Sequence, residues 1–378
     1  MKFVRKDRRK ILIATAGLAA SSTALLGGCD SGGTPEKPSK ATSFSKQIIK
    51  WKMATSFPKN FPGSDLNAQK LKNYIEKASE GKILIEHFGA GEIVPAFEVF
   101  DAVRNGVIDC GVAAPYYWIS KHKAIPFFCT VPAGMTAIEK FSWINYGGGQ
   151  ELWDELYSSF GLKAILCGNT GVQMGGWFKN QINTIDDFKG LKMRIPGIGA
   201  EIINQLGGTA VNMPAGEIMP ALQQGVIDAA EWVGPWVDKI SGFHKITKYY
   251  YGPGVHEPGT ANELIMNKEA WISLPSNIKE IIRNVCNSVY IDSLAEYFYY
   301  NSHALTELED KYNVKINNFP DEVVTEMFKI SKKVVYGFAN LGALHKKIYN
   351  SWYSSLNKFN RYQSFSDYGF IDKRIKSV

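Results

Sequence analysis

One phrase occurs twice in this chain. Residues 102–110 read Ala-Val-Arg-Asn-Gly-Val-Ile-Asp-Cys, and residues 221–229 read Ala-Leu-Gln-Gln-Gly-Val-Ile-Asp-Ala. Each copy closes an amphipathic helical stretch with glycine, the residue that best tolerates the left-handed backbone of a helix end. Each then runs on into small residues and aromatics: Tyr116, Tyr117 and Trp118 after the first, Trp232 and Trp236 after the second. The pattern reads as a helix, a glycine stop and a short buried strand of Val and Ile. The copies lie about 120 residues apart, too far for a solenoid, whose units recur every ~20–50 residues. They predict two α/β lobes of related construction, although helix–Gly–strand is common enough for coincidence to compete. Two lobes enclose a cleft, and clefts bind small molecules.

The N-terminus is the second constraint. Lys2, Arg5, Lys6, Arg8, Arg9 and Lys10 form a basic head with one acid, Asp7, and Ile11–Gly28 is uncharged and rich in Ala, Leu and Gly. Basic head, apolar middle and small residues before a boundary describe an export signal over residues 1–28. Leu26-Gly27-Gly28-Cys29 resembles a bacterial lipobox, which makes Cys29 the lipidation site and the first mature residue. Asp7-Arg8-Arg9-Lys10-Ile11-Leu12 resembles a twin-arginine signal. A retained transmembrane helix of ~18 residues is the rival reading, weakened by the many Ala, Gly, Ser and Thr residues. Residues 29–46 read as a flexible linker of Ser, Gly, Thr, Pro and Lys. Removing the head takes five of the formal +7 charges with it. The remaining acids and bases are interspersed, so the mature chain has no electrostatic footprint for nucleic acid. Cys110, Cys129, Cys167 and Cys286 stand in apolar contexts without a C-x-x-C pair and read as buried free thiols.

Helix and strand alternate from Trp51 to Leu274, which favours α/β. Trp51–Ser56, Lys82–His87, Leu162–Cys167, Gly175–Phe178 and Leu191–Ile195 read as strands. Val94–Arg104, Ala200–Leu206 and Pro214–Gln224 read as helices. Asp65 reads as the cap of a further helix with Leu66, Leu71 and Ile75 on one face. Beyond Leu274 the pattern is almost wholly helical, loaded with Tyr, Trp and Lys to about Tyr362.

Three segments then carry a family resemblance. Lys189-Gly190-Leu191-Lys192-Met193-Arg194-Ile195-Pro196-Gly197 resembles the Lys-Gly-x-Lys-x-Arg segment of the solute-binding proteins of tripartite ATP-independent periplasmic (TRAP) transporters, the DctP family. Ala221–Glu231, with its Gln-Gly-Val-Ile-Asp and a Glu three residues after the Asp, is similar to the family's second signature. Glu231-Trp232-Val233-Gly234-Pro235 and His256-Glu257-Pro258-Gly259 resemble the branch that binds 2-oxo or 2-hydroxy monocarboxylates with a metal ion. The resemblance runs from about Trp51 to at least Trp271. It implies a two-lobed periplasmic-binding-protein fold with mixed sheets, a hinge and a long helical C-terminal segment. The expected division is 47–166 plus 233–263 for lobe I, 167–232 plus 264–330 for lobe II, and 331–378 for a helical tail that supports a homodimer. It also implies a periplasmic, lipid-anchored receptor whose partners are the transporter's membrane subunits.

The site follows residue by residue. Arg194 closes a strand before Pro196-Gly197 and points toward the cleft mouth, unless it is a surface residue beside Lys189 and Lys192. A guanidinium matches a carboxylate in a two-bond fork, and the resemblance assigns Arg194 to the substrate carboxylate. Gln173, Glu231 and Glu257 are oxygen donors of the kind Na⁺ and Ca²⁺ prefer. The resemblance makes them, with the carbonyl of Trp232, the ligands of a metal that bridges the substrate. Gln173 touches the substrate as well. Tyr116, Tyr117, Trp118, Trp177 and Trp232 are the candidates for the pocket wall, of which Trp232 and Tyr117 are expected to serve, although aromatics are also good core residues. Asn262, after Gly259-Thr260-Ala261, is expected to hydrogen-bond the ligand. His256 reads as a loop residue shaping the cleft rim.

Other chemistry is poorly represented. Gly197-Ile198-Gly199-Ala200-Glu201-Ile202 starts like a dinucleotide fingerprint, but Ile202 takes the place of its third glycine. There is no Walker A segment, G-x-S-x-G or H-E-x-x-H, and the histidines are scattered. An exported metal-dependent enzyme acting on an oxo acid is the alternative to a binding protein. It would need a general base, and none is distinguishable from a metal ligand.

Overall fold

The computed structural model describes residues 48–377. The expected signal segment, Cys29 and the linker to residue 46 lie outside the described residues. Among those described, no helix is long and apolar enough to cross a membrane.

The chain adopts the expected α/β class, with two mixed sheets and a long C-terminal helix. It lays down β1 (Ile49–Thr55), β2 (Ile83–Phe88), β3 (Cys110–Ala113) and β4 (Leu162–Asn169) in the first sheet. It crosses to the second for β5 (Gly176–Phe178), β6 (Lys192–Arg194), β7 (Thr209–Val211), β8 (Ala229–Ala230) and β9 (Tyr249–Gly252). It returns for β10 (Ala261–Asn267) and crosses again for β11 (Lys315–Asn318). The strand orders are β2-β1-β3-β10-β4 and β11-β9-β5-β8-β6-β7. β10 runs antiparallel to both its neighbours, as does β5, and the other pairings are parallel.

The repeated phrase is a repeated structure. Gly106 and Gly225 both sit at positive φ, +70° and +75°. In each copy the next residue donates back across the helix end, Val107 N to Ala102 O and Val226 N to Ala221 O, both at 2.9 Å. These are the 6→1 bonds of a Schellman stop. Each Asp then accepts from a backbone N–H of a neighbouring strand: Asp109 from Lys52 at 2.7 Å and Asp228 from Lys192 at 3.1 Å. The strand that follows lies between a parallel and an antiparallel neighbour: β3 between β1 and β10, β8 between β6 and β5. Val and Ile are not the strand, however. Val107 and Val226 are exposed, only Ile108 and Ile227 are buried, and the strand begins after the Asp.

The crossings also differ from the expected division. Tyr249–Gly252, within the range assigned to lobe I, pairs with β5 and β11 in the second sheet. All of β10, including residues 264–267, belongs to the first. β11 interrupts the helical C-terminal stretch. Asp65 does not cap its helix, Ser64–Ala78. It is buried and accepts from Thr55 Oγ1 (2.7 Å), the Asn60 backbone (2.8 Å) and Gln69 (2.9 Å), which secures the loop after β1.

One helix, Ser276–Asp310, is 35 residues long, about 50 Å at 1.5 Å per residue. Its buried residues Ile278, Ile282, Cys286, Val289, Tyr290, Ser293 and Tyr297 recur at three- and four-residue spacing, the stripe of an amphipathic helix. Its first half packs into a core with Trp51, Met53, Leu71 and Leu264 of the first lobe. Tyr297 and Leu308 pack with Trp177, Trp232 and Tyr250 of the second. Cys110, Cys129, Cys167 and Cys286 are buried and free.

Candidate ligand and cation site

Both crossings flanked by β4–β5 and β9–β10 contribute to one buried polar cluster. Gln173 stands in the first crossing, and His256 and Glu257 in the second. The two segments run side by side, with Thr170 N to Thr260 O at 3.0 Å, Gln173 N to Glu257 O at 3.1 Å and Gly254 N to Gln173 O at 2.8 Å. A Cβ on Gly254 would meet the Gln173 carbonyl oxygen at 2.8 Å, so only glycine permits this approach.

Arg194 and Glu231 join the cluster from the second sheet. Arg194 ends β6, and Glu231 follows β8, its parallel neighbour; Glu231 N donates to Arg194 O at 3.0 Å. Arg194 is 1% exposed, so the surface reading is excluded, whereas Lys189 and Lys192 are exposed. Its Nη1 donates to Glu231 Oε2 (2.9 Å) and to the Glu231 carbonyl (2.7 Å), and Nε to the Met213 carbonyl (3.4 Å). Its guanidinium carbon lies 5.1 Å from the Trp232 ring centroid.

His256 is not at the rim. It is buried, with Nε2 3.6 Å from Glu231 Oε1. One of its ring nitrogens and one carboxylate oxygen each from Glu231 and Glu257 lie within 4.8 Å of one another. Its adjacency to Glu257 was the available signal, but sequence does not show that the crossing turns inward.

Burial governs the protonation of this cluster. It pushes Glu231 up to about 8 despite the neighbouring guanidinium, with Asp238 adding to the rise. It pushes Glu257 up to about 8 as well, reinforced by Glu231. Burial also holds His256 below its ordinary value. Thr260 Oγ1 donates to Glu257 Oε2, and Gln173 Nε2 donates to Thr170 Oγ1 at 3.1 Å. Gln173 Oε1, Arg194 Nη2, Glu231 Oε1, His256 Nε2 and Glu257 Oε1 are left buried without a hydrogen-bond partner, on residues joined by the contacts above. Buried polar atoms are ordinarily paired. A cationic donor, three oxygens and an imidazole nitrogen therefore frame a place for an anion and a hard cation.

The aromatic residues divide. Tyr117 lies in the field of Arg194, Glu257 and Glu231, and burial pushes its hydroxyl up to about 12. Tyr116 is buried against Gly197 of the opposite lobe. Trp118 instead donates to Glu263 at 2.7 Å inside the core, and Trp177 donates to Asp238 at 2.9 Å. Asn262 is buried over Gly168, on the side of the sheet that carries Ser293 of the long helix. Among the described contacts none joins it to the cluster. Asp238 went unnoticed in the sequence, yet its carboxylate also accepts from Tyr250 (2.8 Å), Val233 N (3.1 Å) and Gly234 N (2.9 Å) and so fixes the segment after Trp232.

Residues 56–340 match the family described as bacterial extracellular solute-binding protein, family 7, DctP. The chain belongs to this family. It is 35% identical over 345 residues, 91% of this chain and 93% of the relative, to a monocarboxylate 2-oxoacid-binding periplasmic protein of Nostoc sp.. A TRAP transporter solute-binding protein of Bordetella bronchiseptica superposes with a TM-score of 0.85 at 33% identity, covering 88% and 98% of the two chains. That protein is described as a mixed-occupancy dimer with copurified calcium and picolinate in one active site. A TRAP periplasmic solute-binding protein of Pseudoalteromonas atlantica, with bound sodium and pyruvate, gives a TM-score of 0.83 at 36% identity over 86% and 99%. This DctP-family receptor is thus the periplasmic solute-binding subunit of a TRAP transporter, in a transport family and not an enzyme family.

Proposed function

We propose that the receptor captures a short 2-oxo or 2-hydroxy monocarboxylate, such as pyruvate or lactate, together with Na⁺ or Ca²⁺, in the buried cluster. The observation that carries this reading is that Gln173, Arg194, Glu231, His256 and Glu257 each keep a buried polar atom without a partner, with one ligand atom from each of the last three within 4.8 Å of one another. Arg194 Nη2 receives the ligand carboxylate. Gln173, Glu231 and Glu257, with the Trp232 carbonyl, hold the cation, and Gln173 and Tyr117 border the ligand. When bound, the cation supplies positive charge that a carboxylate and its neighbouring oxygen share. Pyruvate and picolinate, found in the relatives, both place a second donor atom next to a carboxylate. Charge favours a monoanion. Ionised Glu231 and Glu257, Arg194⁺, a divalent cation and one carboxylate cancel, and a sodium ion reaches the same balance when one carboxyl keeps its proton. A second ligand carboxylate would be buried without compensation.

The site lies where the chain passes between sheets, so ligand and cation touch both lobes only when these are shut. Closure then follows binding as a population shift of hinged lobes. Delivery to the membrane subunits follows opening. Lipid on Cys29 would hold the receptor at the membrane. A second copy is the partner we assign to the tail. The helix Asp367–Lys376 buries none of its residues and exposes Tyr368, Phe370 and Ile375, and the Bordetella relative is described as a dimer.

The test is calorimetric titration of protein starting at residue 46, unfolded and refolded to strip carried ligand. Pyruvate and lactate are added with and without Ca²⁺ or Na⁺. Metal-dependent binding that Arg194→Met weakens about 10–150-fold is the expected result. Absence of binding by any small monocarboxylate refutes the assignment and redirects it to dicarboxylates and sugar acids.

A further inference from the structure

Trp232 takes part in two neighbouring places. Its ring carries the Arg194 guanidinium at 5.1 Å, and the residue also lines a separate, half-open pocket of about 230 Å³. The other walls include Pro58 and Phe61 from the loop after β1, Gly216 and Met219 from the helix Ala215–Gln224, and Phe243. Arg194, Gln173, Glu231, His256 and Glu257 are not among the lining residues. Apart from Ser241 the side chains lining it are apolar. The volume far exceeds the ~10–15 Å³ that admits a single water, and it suits an alkyl chain of several carbons. The Phe61 ring meets Trp232 edge-on, with centroids 5.7 Å apart at 72°. The loop of one lobe therefore holds the indole of the other in place when the lobes are shut.

We infer that the Trp232 indole is a partition that sets ligand length. It separates the anion chamber from an apolar cavity that would otherwise take the ligand's side chain, and so restricts the receptor to short 2-oxo acids. This rests on the carboxylate and cation site proposed above. The backbone carbonyl of residue 232 is common to every substitution, so the ring can be removed without deleting that oxygen.

The experiment compares pyruvate with 2-oxooctanoate by calorimetry at saturating Ca²⁺. Each methylene that fits or fails to fit changes affinity by about tenfold or more. Wild type is expected to favour pyruvate at least a hundredfold, and Trp232→Ala to erase or reverse that preference. Gly216→Leu fills the cavity from its other wall, because a Cβ there meets nothing within 4 Å. Alone it leaves pyruvate binding unchanged; combined with Trp232→Ala it removes the gain for 2-oxooctanoate. Trp232→Leu, with a smaller opening tested on 2-oxohexanoate, serves if circular dichroism shows that the alanine variant does not fold. A folded Trp232→Ala or Trp232→Leu protein that binds pyruvate and still rejects the longer acid overturns the partition. So does a wild type that binds both acids equally. A wild type that binds neither acid overturns the site reading itself, and the partition with it.

Discussion

In the proposed site, the two buried carboxyls should make cation capture a proton-release event. Glu231 and Glu257 are each pushed up to about 8. At pH 7 each is then about nine-tenths protonated, and presenting either as a carboxylate costs about 1.4 kcal/mol. A cation held by both releases close to two protons. From pH 7 to pH 8 its affinity should rise about thirtyfold, then flatten above about pH 9. Because the groups interact, the protons leave in two macroscopic steps. Glu231→Gln keeps an acceptor for Arg194 but removes one titrating group. The slope of log affinity against pH should fall from near two to near one, and the ligand-free variant at pH 7 should lie within about 1 kcal/mol of wild type. The assay is Ca²⁺ titration with pyruvate present, between pH 6 and 9, in two buffers of unlike protonation enthalpy. A pH-independent wild-type affinity refutes the reasoning. The raised values carry a second sign. Between about 4.5 and 8 the folded state keeps protons that the unfolded state has released. Ligand-free stability should therefore fall as pH rises through that window, and bound Ca²⁺ should offset the fall.

Three further outcomes are expected. Arg194→Met removes charge-assisted hydrogen bonds worth about 1.5–3 kcal/mol each, so pyruvate should bind about 10–150-fold more weakly; calorimetry showing an unchanged affinity contradicts the carboxylate role. Asp238→Ala leaves the N–H groups of Val233, Gly234 and Trp177 and the Tyr250 hydroxyl without their acceptor. Denaturant unfolding should record a loss of about 3 kcal/mol or more, and a loss under 1 kcal/mol rejects the structural role. Deleting residues 367–378 should leave monomer stability within about 0.5 kcal/mol, since Asp367–Lys376 buries no residue. The same deletion should convert a dimer to a monomer in sedimentation, and an intact dimer argues against the tail as its interface.

What was legible in the sequence and what was not have separate physical causes. Gly106 and Gly225 were readable because a Schellman stop demands positive φ, a local requirement. The strand start was not, because Val107 and Val226 belong to the stop rather than to the ladder. The resemblance assigns Arg194 to a carboxylate, but its burial depends on β6 lying beside β8, a long-range pairing that the sequence does not show. Gln173 and Glu257 meet through two crossings whose register no local pattern encodes. Asn262 has no described contact with the cluster, and the direction of its side chain was illegible for a definite reason. The register of β10 on β4 shifts between Asn262 and Glu263, and such a bulge breaks the inside–outside alternation from which side-chain direction is read. The tyrosine run 249–251 has strand character but nothing local that says which sheet it joins.

The helix Ser276–Asp310 has a consequence for how the molecule comes apart. Ile278, Ile282, Cys286 and Val289 belong to one lobe's core, and Tyr297 and Leu308 to the other's. Melting either lobe strips one end of this rod of its packing, and an isolated helix is only marginally stable in water. Neither lobe can lose its fold alone without unravelling a shared member. The closure proposed above would then leave this helix packed, while partial denaturation would not. The ligand-free receptor should accordingly melt as a single cooperative unit, with one calorimetric transition.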